Sequence, residues 1–270
     1  INFNIPIICV GNIYIGGTGK TPLSILISNE IKKSGKTSII VKKNYLNQED
    51  EQILIKKETG NLILCKDRSS GILEAEKKKF DYVILDDGFQ DYSIGKNLSI
   101  LCFKSDLLVG NGLMIPSGPL RESLNAIKKS QIVLINGSEN KKFETKILSI
   151  NPDIEIFYSK YEATNLNELK DKNLLAVSGI GDPDSFFKLM VESGLALSKK
   201  LIFPDHYQFS RKEISDIVAD AKKNDLQVVM TEKDYCRIKK FNLSDIKFLK
   251  INLIIKNKEK LIKKIFEIND

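Results

Sequence analysis

One loop constrains this chain more than any other stretch. Four apolar residues, Ile7-Ile8-Cys9-Val10, lead into Gly16-Gly17-Thr18-Gly19-Lys20-Thr21, and a helix-compatible segment follows from about Pro22 to Lys33. A buried strand that turns through glycines into a helix points several backbone N–H groups and the positive helix end at a single anion. Glycine supplies the positive φ and the close backbone approach that such a cradle needs. In that setting Lys20 would reach the β- and γ-phosphates of a nucleotide, and the Thr21 hydroxyl would ligate Mg²⁺. The expected ATP contacts therefore run through Tyr14, Ile15, Gly16, Gly17, Thr18, Gly19, Lys20 and Thr21. The strict pattern G-x-x-x-x-G-K-[ST] has glycine where Tyr14 stands, so the loop is not a literal Walker A. The extra glycines and the strand–loop–helix context compensate; a glycine-rich turn without a ligand is the alternative.

The rest of the chain keeps the same alternation. Residues 38–41, 61–65, 82–85 and 98–103 read as strands, with residues 69–79 helical among them. Near-continuous apolar strands separated by helices indicate a parallel sheet covered on both faces, joined by right-handed crossovers. The expected fold class is α/β: a P-loop NTPase-like, mostly parallel sheet with helices on both faces, plus a second, smaller α/β lobe. In the second half, residues 174–177 lead into Ser178-Gly179-Ile180-Gly181, and a helix opens with Asp182 as cap and Pro183 at its first position. Residues 227–230 form a strand that runs into Thr231-Glu232-Lys233-Asp234, a capping-box pattern. Residues 248–253 read as a last strand before a lysine-rich final helix. The polar, weakly periodic stretch 137–172 sets the expected boundary between a nucleotide-binding lobe, 1–140, and a C-terminal lobe, 141–270, closing over the active site.

A second apolar strand delivers Asp86 and Asp87 at its C-terminal end, where ligands of open α/β sheets sit. A carboxylate there holds the Mg²⁺ shared with Thr21, or the pair is a turn device leading to Gly88. With the phosphate loop upstream, the metal reading is preferred. A kinase also needs a group to accept the proton of the acceptor hydroxyl. His206, the sole histidine, lies beside Asp205, yet adjacent residues need not face each other, and a loop histidine is more often a surface residue. Asp67-Arg68 follows the third strand at the same sheet edge; there an Asp equally well caps the next helix. Arg121-Glu122 follows the rigid Ile115-Pro116-Ser117-Gly118-Pro119-Leu120, presenting a guanidinium either to phosphate or to an ion-pair partner.

The net charge is +7, from 42 Lys and Arg against 35 Asp and Glu. It favours anionic partners without choosing among nucleotides, nucleic acid and membrane surfaces. Lysine runs at 77–79, 128–129, 222–223 and 263–264 fit solvated helix ends. Cys9, Cys65, Cys102 and Cys236 form no C-x-x-C pair and read as reduced thiols rather than a disulfide frame or zinc site. No apolar run reaches bilayer-spanning length.

Taken together and in order, several stretches resemble the tetraacyldisaccharide 4′-kinase family. They are Val10-Gly11-Asn12 with Gly16-Gly17-Thr18-Gly19-Lys20-Thr21-Pro22, Asp86-Asp87-Gly88-Phe89-Gln90, Pro116-Ser117-Gly118-Pro119-Leu120-Arg121-Glu122, Gly179-Ile180-Gly181-Asp182-Pro183, Phe203-Pro204-Asp205-His206 and Thr231-Glu232-Lys233-Asp234. The resemblance implies Mg²⁺- and ATP-dependent phosphorylation of the 4′-hydroxyl of an acylated glucosamine disaccharide 1-phosphate, giving lipid IVA. It implies a lipid substrate and an anionic membrane surface as partners, no nucleic acid, and residence at the cytoplasmic face of a Gram-negative inner membrane. A hydrophobic N-terminal helix ahead of the first strand is also expected, in agreement with the abrupt start at Ile1. By the same resemblance Asp67 is the catalytic Asp, paired across a cleft with His206, and Arg121 stands near the transferring phosphate. Thr21, Asp86 and Asp87 are the expected metal residues, and Arg68, Gln90 and Glu122 the expected substrate contacts.

Two departures stand out. Asp91 follows Gln90 where the family usually has His, and Lys42-Lys43-Asn44-Tyr45 replaces the usual Ser-Arg-Gly-Tyr, with Lys43 keeping a positive charge. The rival readings are a P-loop synthetase or kinase of a soluble small molecule, and a nucleotide-dependent switch or metallochaperone.

Overall fold

The computed structural model describes residues 3–45 and 48–269. The start at Ile1 and part of the short loop after Tyr45, on both of which expectations fall, lie outside them. The chain forms two compact units, the first from Ile1–Asn44, Ile55–Lys160 and Leu253–Asp270, the second from Tyr45–Leu54 and Tyr161–Asn252. A single cut near residue 140 does not describe this division. Helix and strand residues beyond 140 extend the first unit's sheet, and the last strand and helix return to it.

The first unit begins with β1 (Ile7–Gly11), α1 (Lys20–Lys33) and β2 (Ser38–Lys43). Next come α2 (Glu49–Thr59), which starts in the second unit, then β3 (Leu62–Cys65), α3 (Arg68–Lys77), β4 (Tyr82–Asp86) and β5 (Leu98–Lys104). β6 (Ile132–Asn136), α4 (Lys141–Ile150) and β7 (Glu155–Ala163) follow. From β3 to β7 the strands run parallel in the order β3-β2-β4-β1-β5-β6-β7. β1, β2, β4 and β5 are buried over nearly their whole length, as strands covered on both faces must be. Ile7, Cys9, Val83, Leu85 and Leu101 pack with Ile72 and Ala75 of α3 on one side. Ile8, Val10, Leu23, Ile27 and Ile31 are equally buried. Burying each such side chain contributes about 1.5–3 kcal/mol.

The second unit holds β8 (Leu174–Ser178), α5 (Pro183–Glu192), β9 (Leu197–Ile202), α6 (Arg211–Lys223), β10 (Gln227–Thr231), α7 (Glu232–Ile238) and β11 (Ile246–Leu249). Its four strands are parallel in the order β11-β10-β8-β9. The period of two sorts β8: Leu174 and Ala176 join Phe186, Phe187 and Met190, whereas Leu175 and Val177 join Phe209 and Ile214. Asp182 accepts the Ser185 amide with Pro183 at the start of α5, as the sequence indicates. The apolar run at 248–253 is not one strand: it breaks at Lys250 into β11 and β12 (Ile251–Ile255), and β12 joins the edge of the eight-stranded sheet beside β7. Helix α8 (Lys258–Phe266) follows.

Candidate functional site

In the first unit the site grows from the ends of β1 and β4. A Cβ on Gly11 would lie 2.4 Å from Cβ of Phe89, so only glycine lets β1 end beneath the loop that follows Asp86-Asp87. Gly16 and Gly19 have φ of 109° and 91°, and Gly19 is the N-cap of α1 without a side-chain cap. The first amides of α1 are thus orphan donors at the positive helix end. The Asn12 amide nitrogen donates to the Thr18 hydroxyl at 2.9 Å and the Gly16 carbonyl at 3.2 Å, fixing the loop from within. Thr18 is buried in this role, and the Ile15 amide is taken by the Pro119 carbonyl at 2.9 Å.

Asp86, fully buried at the end of β4, accepts the Thr21 hydroxyl at 3.1 Å, the Ser24 hydroxyl at 3.2 Å and the Lys42 ammonium at 2.7 Å. Asp87 stands in the left-handed region, φ 56°, which turns its side chain to other partners. Lys20 lies 3.7 Å and Arg121 2.9 Å from its Oδ1. Burial pushes this carboxyl up, but Lys20 and Arg121 outweigh it and hold it below the usual range. Phosphate-loop lysine, phosphate-loop threonine and both aspartates therefore meet in one cluster.

The Pro/Gly loop is strapped to the cradle: the Arg121 amide donates to the Ile13 carbonyl at 2.7 Å, and Tyr14 bridges Leu120. This carries the Arg121 guanidinium to Asp87 and to Gln90 Oε1 at 3.5 Å. The Gln90 amide nitrogen donates to the Asn12 carbonyl and to Glu122, each at 2.9 Å, and the Tyr92 hydroxyl donates to Glu122 as well. Arg68, nearly buried, donates to the Asp87 carbonyl at 2.5 Å and lies 3.6 Å from Asp91. The departure at Asp91 thus places a carboxylate against Arg68. Asp67 is exposed and caps α3, accepting the Ser70 amide at 2.9 Å; that amide, with the Ser70 hydroxyl, holds its carboxyl low.

In the second unit His206 sits at φ 58° with its amide donating to the Gly179 carbonyl at 3.1 Å. Its Nδ1 lies 3.2 Å from Oδ1 of Asp50, a buried carboxylate on α2 that the sequence reading did not single out. Arg237 donates to Asp50 Oδ2 at 2.6 Å, to Asp234 Oδ1 at 2.6 Å and to the Gly179 carbonyl at 2.8 Å. Asp234 also receives the Thr231 hydroxyl at 2.7 Å and the Gly179 amide at 3.1 Å. The expected capping box at Thr231 is therefore one-sided: Thr231 accepts the Asp234 amide at 3.1 Å, while the Asp234 carboxylate serves Gly179 and Arg237. Burial raises the Asp234 carboxyl despite these donors. His206 Nδ1 also lies 3.3 Å from Nη2 of Arg237, so this nitrogen faces an acceptor, Asp50, and a donor, Arg237. Asp50 and Arg237 are participants that the sequence did not single out, an acid at a helix start and a basic residue inside a short helix; Lys42 stood out there only as a departure from the family pattern.

The chain is similar to known proteins along its whole length. Residues 1–269 match the family model described as tetraacyldisaccharide-1-P 4′-kinase. The tetraacyldisaccharide 4′-kinase of Pelagibacter ubique is 41% identical over 272 residues, covering 100% of this chain and 86% of that protein. The enzyme of the same description from Rickettsia akari is 30% identical, covering 97% and 84%. A solved structure of LpxK from Aquifex aeolicus in complex with ATP superposes with a TM-score of 0.75 at 24% identity, covering 99% of this chain and 90% of that one, a likeness of fold.

Proposed function

The chain belongs to the tetraacyldisaccharide-1-P 4′-kinase family, and from that premise we propose that it transfers the γ-phosphoryl group of ATP to the 4′-hydroxyl of an acylated glucosamine disaccharide 1-phosphate. The observation that carries this reading is the convergence of Lys20, Thr21, Asp86, Asp87 and Arg121 at the ends of β1 and β4. Backbone amides at the start of α1 and the Lys20 ammonium bind the phosphates, and Arg121, released from Asp87, meets the charge of the transferring group.

Thr21, Asp86 and Asp87 offer hard oxygen donors of the kind Mg²⁺ takes together with nucleotide phosphates. Bound there, Mg²⁺ would neutralise charge on the β- and γ-phosphates.

Proton acceptance falls to His206, whose Nδ1 is held by Asp50 and Arg237, themselves paired. The resemblance points to Asp67 as the partner of His206; the two belong to different units, and within its own unit His206 has Asp50 at hydrogen-bond distance, so orienting the imidazole is assigned to Asp50 and the role of Asp67 is left to the substitutions below. Gln90, Glu122 and Arg68 brace the loop around Asp87 and supply polar groups for the sugar. The lipid substrate and the +7 charge favour work at an anionic membrane surface, on the cytoplasmic face of an inner membrane. No helix among the described residues is long and apolar enough to cross a membrane.

The test supplies detergent-dispersed tetraacyldisaccharide 1-phosphate, Mg²⁺ and γ-labelled ATP to the purified protein. Label on the lipid at the 4′ position is expected. Labelling of soluble acceptors with none on the lipid would sink the assignment.

A further inference from the structure

Lys42 is buried in β2, with 3% of its side chain exposed, one residue past the Val41–Leu85 pair of the β2–β4 ladder. That position puts its Nζ 2.7 Å from Oδ2 of Asp86, a carboxylate with no exposure to solvent. The same oxygen accepts the Thr21 hydroxyl, and Oδ1 accepts Ser24. Lys20, the lysine of the phosphate loop, lies against the other aspartate, Asp87. Lys42 thus stands directly on Asp86 and Lys20 beside Asp87, with the Lys42 charge close enough to act on Asp87 as well. An ammonium fixed on Oδ2 and a divalent cation on the same oxygen would repel each other strongly in so dry a place.

We infer that Lys42 is a specificity-determining residue of the nucleotide site: a built-in cation that keeps Asp86 from binding a divalent ion directly. The ion is then retained only with nucleotide, through Thr21, Asp87 and phosphate oxygens, while Asp86 holds Lys42 and the Thr21 hydroxyl in place. This rests on the proposed placing of the metal at the Thr21–Asp86–Asp87 end of the site, and narrows its direct protein donors there to Thr21 and Asp87.

Mn²⁺ is the probe, followed by electron paramagnetic resonance on the full chain with and without ATP. The wild type is expected to bind Mn²⁺ well with ATP and weakly without it. Lys42→Ser should bind Mn²⁺ without nucleotide at least about tenfold more tightly, and Lys42→Arg should behave as the wild type. Equal nucleotide-free affinity in Lys42→Ser and wild type overturns the inference. If Lys42→Ser does not fold alone, recovery of a cooperative melt on adding Mn²⁺ supports it, and failure to recover at saturating Mn²⁺ leaves Lys42 a structural counter-charge and overturns it. Absence of Mn²⁺ binding to wild type even with ATP would instead remove the metal assignment and the inference with it. None of these readouts uses phosphoryl transfer, so the kinase assignment is tested separately.

Discussion

Asp86 and Asp87 are neighbours in sequence but do different physical work. Asp86 continues the strand and faces the buried trio of Thr21, Ser24 and Lys42, whereas the left-handed backbone at Asp87 swings it to Lys20 and Arg121. The same contrast separates Asp50 from Asp67. Asp50 is buried between His206 and Arg237; Asp67 is exposed at the start of α3. Asp50→Ala and His206→Ala should each lower kcat by roughly 10²–10⁴-fold with ATP affinity kept, the range for a lost general base. Asp67→Ala should leave kcat within about threefold of wild type on that view and lower Tm by roughly 2–4 °C through the lost cap. Steady-state kinetics beside thermal melts check both, and a kcat collapse in Asp67→Ala with Asp50→Ala unaffected would return the role to Asp67.

At the scale of elements, termini follow local chemistry closely. The lysine runs close α3, α6 and α8, where cations meet the negative helix end. Ser210 and Glu213 complete a reciprocal capping box at the start of α6. Glu213 is held at about 2 by the Tyr207 hydroxyl first and by Ser210 second. Ser210→Ala should therefore lower Tm by roughly 2–4 °C while leaving kcat alone, a separation read by scanning calorimetry and the lipid assay together. Where elements end for tertiary reasons, local chemistry was silent. Nothing in residues 248–253 marks Lys250 as the point where the chain leaves one sheet for another.

For the whole molecule, burial and ion pairing set the pH response. Asp81 is held low by the Thr37 amide and hydroxyl, and Asp87 by Lys20 and Arg121 against the upward push of burial. Folded values below unfolded ones mean that the unfolded chain takes up protons first as pH falls. Their contribution is therefore complete above the ordinary Asp range near pH ~4 and is lost as pH drops through the folded values. Denaturant melts from pH 7 downward should show stability falling below about pH 4, and Asp81→Asn should flatten that acid limb; an unchanged limb contradicts the assignment. All four cysteines are free and buried, with Cys9 and Cys102 pushed up to about 12 by burial. A thiol reagent at pH 8 should leave those two unmodified until denaturant is added, as counted by mass spectrometry.

The sequence by itself determined the strand–glycine–helix cradle, the parallel α/β class, the caps at Asp182 and Thr231 and the arrival of Asp86-Asp87 at a strand end, because each depends on residues within a few positions of one another. The order of motifs was enough to point to the family. What only the tertiary structure decided is which side chains meet across long separations: Lys42 with Asp86, Arg121 with Asp87, and Asp50 with His206 and Arg237, the last joined over 156 and 187 residues. Those pairings follow from which strands lie side by side and where a helix enters a unit, and no local periodicity records either. A buried charge must find its partner wherever packing has removed the water, and only the folded chain settles where that is.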